Sequence, residues 1–488
     1  MPMKLRALLG PDVQLSEENA AIEITGLTAD SRAVKPGNVF FALAGTRADG
    51  ARFISEAIAK GARAVVAEPR AGRAEAAVVV HDSNPRKRLA LAAARYYPQQ
   101  PDLCVAVTGT NGKTSVASFV RQIWQGMGFR AASLGTIGVV APGGEQYLTH
   151  TTPDPVELHA ILARLKSQDK VSHLALEASS HGLAQHRLDG MKFAAGAFTN
   201  ISRDHLDYHS TFEDYFSAKM RLFGELLPGG APAVVHADAQ QAHEVVAIAR
   251  KRGLIPYLVG ERGEDLKLLS RRQEGFGQAL QIQGRHARHS VFLPLAGDFQ
   301  AFNALVAAGL VIATGAPENV ALQALESLKG AKGRLERVAT AASGAPVFVD
   351  YAHTPDALET VIKALRPYVE GRLVVVFGCG GDRDKGKRPQ MGAVVGQLAD
   401  AGYVTDDNPR TEDPAVIRAE IMAGFPAGIE IGNREEAIRT AVRALKEGDL
   451  LLVAGKGHET GQTIGTEVRP FSDHAVVKEA VQDHSVDA

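Results

Sequence analysis

The chain has 488 residues, 45% of them hydrophobic and 22% charged. That composition excludes a disordered chain, and the length fits about three domains of ordinary size. Lys and Arg total 54 against 55 Asp and Glu, a net charge of −1, so bulk charge does not hold the chain to nucleic acid and no nucleic-acid partner is expected. The two cysteines, Cys104 and Cys379, exclude a disulfide framework and a Cys-based zinc site. Two free thiols suit a reducing compartment. No apolar run reaches membrane-spanning length, and residues 1–21 hold no signal-type segment. The expectation is a cytoplasmic protein with no membrane span, no internal repeat and no low-complexity tract.

Residues 1–98 alternate short strands (39–43, 64–66) with helices (53–60, 85–96), and the Pro98-Gln99-Gln100-Pro101 run is a linker. Residues 99–332 open with a buried strand at 103–107 and continue as βαβ units. Only 265–295 has short alternating runs that predict a local antiparallel insertion. Residues 333–488 again alternate strands (347–349, 373–377, 450–453) with helical patterns. The expected fold is α/β in three domains, 1–98, 99–332 and 333–488, the central one with a mostly parallel sheet.

Thr108-Gly109-Thr110-Asn111-Gly112-Lys113-Thr114-Ser115 follows the strand at 103–107 directly, and Val116, Phe119, Val120, Ile123 and Trp124 follow at helical spacing. Strand, Gly-rich turn, Lys-Thr and helix together are the setting of a phosphate loop. Glycines let backbone N–H groups converge on phosphate, and the helix N-terminus adds positive partial charge. Lys113 can bridge terminal phosphates, and the Thr114 hydroxyl can ligate Mg²⁺. The strict phosphate-loop pattern would place Gly where this chain has Val107. A strand–helix turn that merely looks like a phosphate loop is the lesser reading.

Glu177-Ala178-Ser179-Ser180-His181-Gly182 and the polar run 199–209 each follow an apolar strand. The strand ends of an open α/β sheet are where ligands bind, so Glu177 and His205 are candidates for one Mg²⁺–phosphate group. His205 and His209 are four apart, but the segment reads as a loop and lacks the Glu of a metalloprotease helix. An isolated His is more often a structural hydrogen-bonding group, and His209 is read that way. Lys219 falls in the apolar stripe of the helix 212–227, with Phe212, Tyr215, Phe223 and Leu226. On the residues alone a snorkelling lysine is the commoner role. The alternative is an amine that burial keeps neutral, able to add CO2 and become a carbamate that holds Mg²⁺.

In the last third, Asn303 sits in a helix, Arg334 in a Gly-Arg-Leu-Glu run, and Asp350 follows a strand and precedes Tyr351-Ala352-His353. Taken singly, Asn303 and Arg334 are structural. Residues 378–388 are glycine-rich, but Arg383 occupies the third-glycine place of a dinucleotide fingerprint, so NAD is disfavoured. The donor fork of Arg383 suits a carboxylate instead. Asp407-Asn408-Pro409-Arg410 is a polar turn in which Asp407 could take an ammonium and Arg410 a carboxylate. An ordinary turn is the commoner role of Asn-Pro. Gly455-Lys456-Gly457-His458-Glu459 is a further polar loop at a strand end, and such loops on one domain suggest one pocket.

Taken in order along nearly the whole chain, these motifs resemble the Mur ligase family of ATP-dependent amide ligases. The resemblance is carried by residues 30–32, 108–115, 151–154, 177–182, 200–209, 219, 351–353, 380–387, 407–410 and 455–459. It also accounts for Val107, because the family does not keep the strict phosphate-loop pattern. It implies an N-terminal α/β UDP-binding domain, a central phosphate-loop ATPase domain and a C-terminal Rossmann-like domain for the incoming amino acid. For the nucleotide sugar it points to Ala29, Ser31, Thr46, Arg47 and Ala48, then to Thr151, Thr152, Ser179, Gln185 and Arg187. His150, which stands where the family often has Asn, is included with them. For ATP it points to Gly109 through Ser115 with Asn303, Arg334 and Asp350. It makes Lys219 a carbamylated lysine, in a metal shell with Thr114, Glu177 and His205. The Asp-Asn-Pro-Arg turn implies meso-diaminopimelate as the amine, surrounded by Arg383, Asp407, Asn408, Pro409, Arg410, Gly455 and Glu459.

The reaction so implied joins that amine to the D-Glu γ-carboxylate of UDP-N-acetylmuramoyl-L-Ala-D-Glu through an acyl phosphate, in peptidoglycan precursor synthesis. A monomer is expected, with Lys113, Glu177, His205 and Lys219 as the catalytic group. The nearest rival is the same chemistry with L-lysine; sister ligases for D-Ala-D-Ala or folate polyglutamate fit the turn less well. A rival of another class is a phosphate-loop ATPase that regulates partners, which would hydrolyse ATP without an amine.

Overall fold

The computed structural model describes residues 2–45, 49–69, 77–202 and 208–486, with side chains as far as 483. By compactness the chain divides into two units, one of residues 1–268, 284–286 and 305–321, the other of 269–283, 287–304 and 322–488.

The first unit opens with a four-stranded parallel sheet of β1 (Gly26–Thr28), β2 (Asn38–Ala42), β3 (Ala64–Ala67) and β4 (Val78–His81), in that order. Both faces of β2 and β3 are buried, which is why they read as unbroken apolar runs. Val39, Phe41, Ala64 and Val66 face one core, and Phe40, Ala42, Val65 and Ala67 the other. The helix Pro85–Tyr96 starts with Asn84 accepting from the Lys87 N–H and Pro85 in its first turn, and it packs Leu89, Ala92 and Ala93 on the first core. The helix expected at 53–60 is shorter. Gly50–Phe53 forms a 3₁₀ turn and Ile54–Ala59 the helix.

The same unit holds β5 (Leu103–Thr108), β6 (Ala131–Gly135), β7 (Gly138–Ala141), β8 (Gly144–Gln146), β9 (His173–Glu177), β10 (Ala195–Phe198), β11 (Pro232–His236) and β12 (Ile255–Gly260). They pair in the order β8-β7-β6-β9-β5-β10-β11-β12. From β6 to β12 the sheet is parallel, and β6, β7 and β8 form an antiparallel meander at its edge. The chain leaves β5 toward β6, returns through β9 on one side of β5 and crosses to β10 on the other. That reversal makes the carboxyl ends of β5, β9 and β10 a topological switch point, where open α/β sheets bind ligands.

The stretch expected as one helix over 212–227 is an α-helix Phe212–Arg221 followed by a π turn Leu222–Leu226. There the Leu227 N–H reaches back to Leu222 O at 3.1 Å. The wider turn lets the adjacent Leu222 and Phe223 both bury completely.

In the second unit β13 (Gly277–Gln283) and β14 (Arg288–Leu293) pair antiparallel, as the alternating runs predicted. Its main sheet has the order β15 (Glu336–Thr340), β16 (Pro346–Asp350), β20 (Leu450–Ala454), β17 (Leu373–Phe377), β18 (Ala401–Val404), β19 (Ile429–Glu430). All neighbours are parallel except β15 with β16. Val374, Val376, Leu451 and Val453 fill one core, and Val375, Phe377, Leu450 and Leu452 the other. The carboxyl ends of β16, β17, β18 and β20 carry the polar loops singled out from the sequence. A hairpin of β21 (Gly461–Ile464) and β22 (Glu467–Pro470) follows.

Candidate active site

Strand β5 delivers the loop 109–112 to the N-terminus of the helix Lys113–Gly126. The segment after β10 braces it. Thr110 N–H donates to Asn200 O at 2.9 Å, Asn111 N–H to Asn200 Oδ1 at 3.0 Å, and the Thr199 hydroxyl to Asn111 O at 2.6 Å. Lys113 Nζ folds back on the loop, donating to Gly109 O and Thr110 O, both at 2.8 Å. Lys219, only 1% exposed, donates from Nζ to Gly109 O at 2.7 Å and lies 4.4 Å from the centre of the Tyr215 ring. Two lysine ammonium groups thus converge on one carbonyl of the loop. A snorkelling lysine would carry its nitrogen outward to water; this one is turned inward.

Glu177, at the end of β9, is buried and fully engaged. Its Oε2 accepts from the Thr114 hydroxyl at 3.0 Å and the Thr136 hydroxyl at 3.1 Å, and its Oε1 accepts from Thr136 N–H at 2.8 Å. Thr136 also meets the Thr151 hydroxyl at 3.1 Å. A chain of polar groups therefore runs from Thr151 through Thr136 and Glu177 to Thr114. Sequence reasoning missed Thr136; its one signal is a Gly-Thr pair just past the strand 131–135, at the same sheet edge. Gly135 is needed there, because a Cβ on it would fall 2.0 Å from Glu177 Oε1.

Thr152, which is buried, donates to Glu177 O at 3.0 Å, and its hydroxyl is 2.9 Å from that of Ser179. Gln185 is held by Arg187, whose Nη2 reaches its Oε1 at 2.8 Å, and donates to Tyr208 OH at 3.0 Å. Thr151, Thr152, Ser179, Gln185 and Arg187 thus line one continuous hydrogen-bonded surface, beside which His150 is exposed. His209 packs among the rings of His181, Tyr208 and Tyr215, the structural role expected of it. Ser31 is buried, with its carbonyl bonded by Lys60 Nζ at 3.0 Å. Thr46, Arg47, Ala48 and His205 lie outside the described residues.

In the second unit, Asp350 is buried at the end of β16. Its Oδ2 accepts from Leu335 N–H at 2.6 Å and its Oδ1 from Ala352 N–H at 2.7 Å. Burial raises its carboxyl pKa, against the pull of Arg334. The Arg334 guanidinium stacks 4.6 Å from the Tyr351 ring. Asn303 is buried and donates to Gln300 Oε1 at 3.2 Å, and Gln300 donates to Arg334 O at 3.4 Å. The loop after β18 and the loop after β20 close on each other. Asn408 Nδ2 donates to Glu459 Oε2 at 3.0 Å, and Lys456 Nζ donates to Asn408 Oδ1 at 3.0 Å and Glu459 Oε2 at 2.9 Å. Arg410 donates from Nη1 to Gly381 O at 2.8 Å, which joins the loop after β17 to the same cluster. Arg383 stands exposed on that loop. The polar loops expected to share one pocket are therefore hydrogen-bonded to one another.

Burial pushes the thiols of Cys104 and Cys379 up to about 12, so neither serves as a nucleophile. Among the described residues no group of three or more His, Cys, Asp or Glu side chains is placed to hold a metal ion. The hydroxyl of Thr114 and the carboxylate of Glu177 are nonetheless hard oxygen donors facing one another, a donor pair that fits Mg²⁺.

A phosphate loop at the switch point of a parallel sheet, with a buried carboxylate and two lysines directed to it, defines an α/β enzyme that handles a phosphorylated substrate. The chain belongs to the Mur ligase family. Residues 23–97 match the Mur ligase family catalytic domain, 107–311 the Mur ligase middle domain and 333–457 the Mur ligase glutamate ligase domain. The chain is 55% identical to the UDP-N-acetylmuramoyl-L-alanyl-D-glutamate--2,6-diaminopimelate ligase of Rhizobium meliloti (strain 1021), over 98% of this chain and 99% of that one. It is 54% identical to the ligase of the same name from Mesorhizobium japonicum, over 99% and 100%. A solved structure of a ligase of that name superposes with a TM-score of 0.74 at 32% identity, covering 99% of this chain and 100% of the other. The fold is the three-domain α/β fold of that family.

Proposed function

We propose that this chain is an ATP-dependent amide ligase that joins meso-2,6-diaminopimelate to the D-Glu γ-carboxylate of UDP-N-acetylmuramoyl-L-Ala-D-Glu, in the assembly of a peptidoglycan precursor. The observation that carries the reading is the turn 407–410 bonded to the loop 455–459 and to Gly381. It gathers Asp407, Arg410, Lys456 and Glu459, side chains of both charges, in a chain more than half identical to ligases named for this amine. The proposed domains are 1–98 for the UDP end, 99–332 for ATP and 333–488 for the amino acid. The protein would act as a cytoplasmic monomer; no helix among the described residues is long and apolar enough to cross a membrane.

A carboxylate is a poor electrophile, and amide formation in water is uphill. Transfer of the ATP γ-phosphoryl group to the γ-carboxylate makes an acyl phosphate. The amine then attacks the acyl carbon, and phosphate leaves with the C–O electron pair. Gly109, Thr110, Asn111, Gly112 and Ser115 would offer N–H groups and hydroxyls to the phosphates. Lys113 would exchange its loop carbonyls for phosphate oxygens and neutralise charge as it develops. Asn303, Arg334 and Asp350 are assigned to the rest of the nucleotide. Ala29, Ser31, Thr46, Arg47 and Ala48 would take the uridine end, and His150, Thr151, Thr152, Ser179, Gln185 and Arg187 the sugar and peptide. Thr114, Glu177, His205 and a carbamylated Lys219 would hold Mg²⁺, which when bound supplies positive charge to the transferring group. The carbamate forms once the Lys219 ammonium has lost a proton: the neutral nitrogen bonds the carbon of CO2 and sheds a second proton, leaving one carboxylate. Arg383 and Arg410 would grip substrate carboxylates, and Asp407 and Glu459 an ammonium, with Asn408, Pro409 and Gly455 shaping the wall. Lysine offers no second carboxylate, and an arginine left unpaired in the pocket disfavours it.

The acyl phosphate makes a specific demand on oxygen. With ¹⁸O in the D-Glu γ-carboxylate, one label per turnover should appear in the released phosphate. Unlabelled phosphate would mean hydrolysis of ATP by water and would end the ligase reading.

A further inference from the structure

Lys456 has no part in the reaction as assigned above, yet it is one of the largest side chains in the chain with no exposure at all. A buried ammonium is costly unless it is paired and hydrogen-bonded, so its two partners are informative. They are Asn408 Oδ1 at 3.0 Å and Glu459 Oε2 at 2.9 Å, one from each loop of the amino-acid pocket. The backbone is built to put it there. Gly455 and Gly457 on either side have φ of +113° and +52°. A Cβ at Gly455 would lie 2.7 Å from Asp407 Oδ2, and one at Gly457 2.8 Å from the Tyr351 Cβ. The chain bends sharply at both glycines, and the lysine is carried beneath the turn.

Lys456 and the Thr463 N–H together decide which way the Asn408 amide points. Asn408 Oδ1 also accepts from Thr463 N–H at 2.9 Å. An ammonium and a backbone N–H are donors only, so the atom facing both must be the carbonyl oxygen. The NH₂ is thereby turned to the other side, where it donates to Glu459 Oε2 at 3.0 Å. Glu459 Oε2 then receives two donors, from Lys456 and Asn408, while the side chain remains about a third exposed at 31%. Its other oxygen faces no assigned partner within this cluster and is the atom suited to an incoming ammonium. Next to the turn, Asp407 feels the positive field of the buried Arg434, which is itself paired with Asp473 at 2.7 Å.

We propose that Lys456 is the positioning residue of the amino-acid pocket. It locks the Asn408 amide with its NH₂ toward the substrate side and holds the Glu459 carboxylate ready for the substrate's ammonium. The inference rests on the diaminopimelate reading and deepens it.

The test is steady-state kinetics of the full chain with Lys456→Met, which keeps an unbranched apolar stem and removes the ammonium. The KM for meso-diaminopimelate should rise by about tenfold to a hundredfold. The KM values for ATP and for UDP-N-acetylmuramoyl-L-Ala-D-Glu should stay within about twofold, and kcat should fall less than the KM rises. Because Lys456 acts in part through Asn408, Lys456→Met added to Asn408→Ala should cost less than it does alone. If Lys456→Met does not fold, Lys456→Gln, which keeps a neutral donor, takes its place in the same cycle. An unchanged KM for diaminopimelate, an equal rise in all three KM values, or fully additive effects would overturn the proposal. Wild-type enzyme that ignores diaminopimelate would instead overturn the reading on which it rests.

Discussion

Arg410 is held in a left-handed conformation, with φ of +52°, so its replacement separates what the side chain does from what the backbone costs. Its Nη1 donates to Gly381 O at 2.8 Å, which leaves the rest of the guanidinium fork for a substrate carboxylate. Two charge-assisted hydrogen bonds at about 1.5–3 kcal/mol each amount to about 3–6 kcal/mol. Arg410→Ala and Arg410→Gly should therefore both lower kcat/KM for diaminopimelate by about 10² to 10⁴. Their stabilities should differ in the opposite sense from helix or strand positions. A left-handed backbone costs a non-glycine residue about 1–2 kcal/mol, and glycine gives back about 0.5–1 kcal/mol through its freer unfolded chain. The glycine variant should thus be more stable than the alanine variant by about 0.5–1 kcal/mol. Acceptor-dependent phosphate release and urea denaturation of the two proteins side by side read both quantities. A folded Arg410→Ala within about threefold of wild-type kcat/KM would refute the carboxylate assignment. An alanine variant more stable than the glycine variant would refute the backbone argument.

Gly135→Ala should lower activity by at least about a hundredfold, because the new Cβ, 2.0 Å from Glu177 Oε1, must push the carboxylate off Thr114. Activity assays with a thermal melt check it, and a fully active variant contradicts the placing of Glu177. Lys219→Ala should be inactive yet folded, and added short carboxylates such as acetate should restore part of the phosphate release; full activity without them would remove the carbamate. His159 is buried, and burial pushes its pKa from 6.5 down to about 4. Its folded pKa lies below its unfolded one, so its contribution to stability is whole above pH 6.5 and is lost as pH falls toward 4. Urea midpoints across that range should fall for wild type and flatten in His159→Met; parallel curves would contradict the assignment.

Much of the fold was legible because parallel strands buried on both faces write themselves as apolar runs, as at 39–43, 64–66 and 373–377. The candidate site was legible in position where chemistry and a strand end coincide, as at Lys113, Glu177 and Asp407. What stayed hidden depends on partners distant in sequence. Thr136 is an ordinary threonine until β6 lies beside β9 and sets it against Glu177. Lys456 reads as part of a glycine loop until Asn408 and Glu459 pair with its ammonium. Nothing in the short polar runs 461–464 and 467–470 announces a hairpin, yet β21 supplies the N–H that orients Asn408. The π turn at 222–226 escaped for a related reason, since a widened turn is chosen by packing and not by periodicity.

The acceptor dependence of phosphate release tests the central claim most directly. ATP, Mg²⁺ and UDP-N-acetylmuramoyl-L-Ala-D-Glu would be supplied with meso-diaminopimelate, with L-lysine, or with no amine, and product mass recorded. The account predicts release only with diaminopimelate, matched mole for mole by a nucleotide product heavier by one diaminopimelate residue. Release with lysine alone would keep the ligase and discard the role of Arg410, and equal release without any amine would contradict the account.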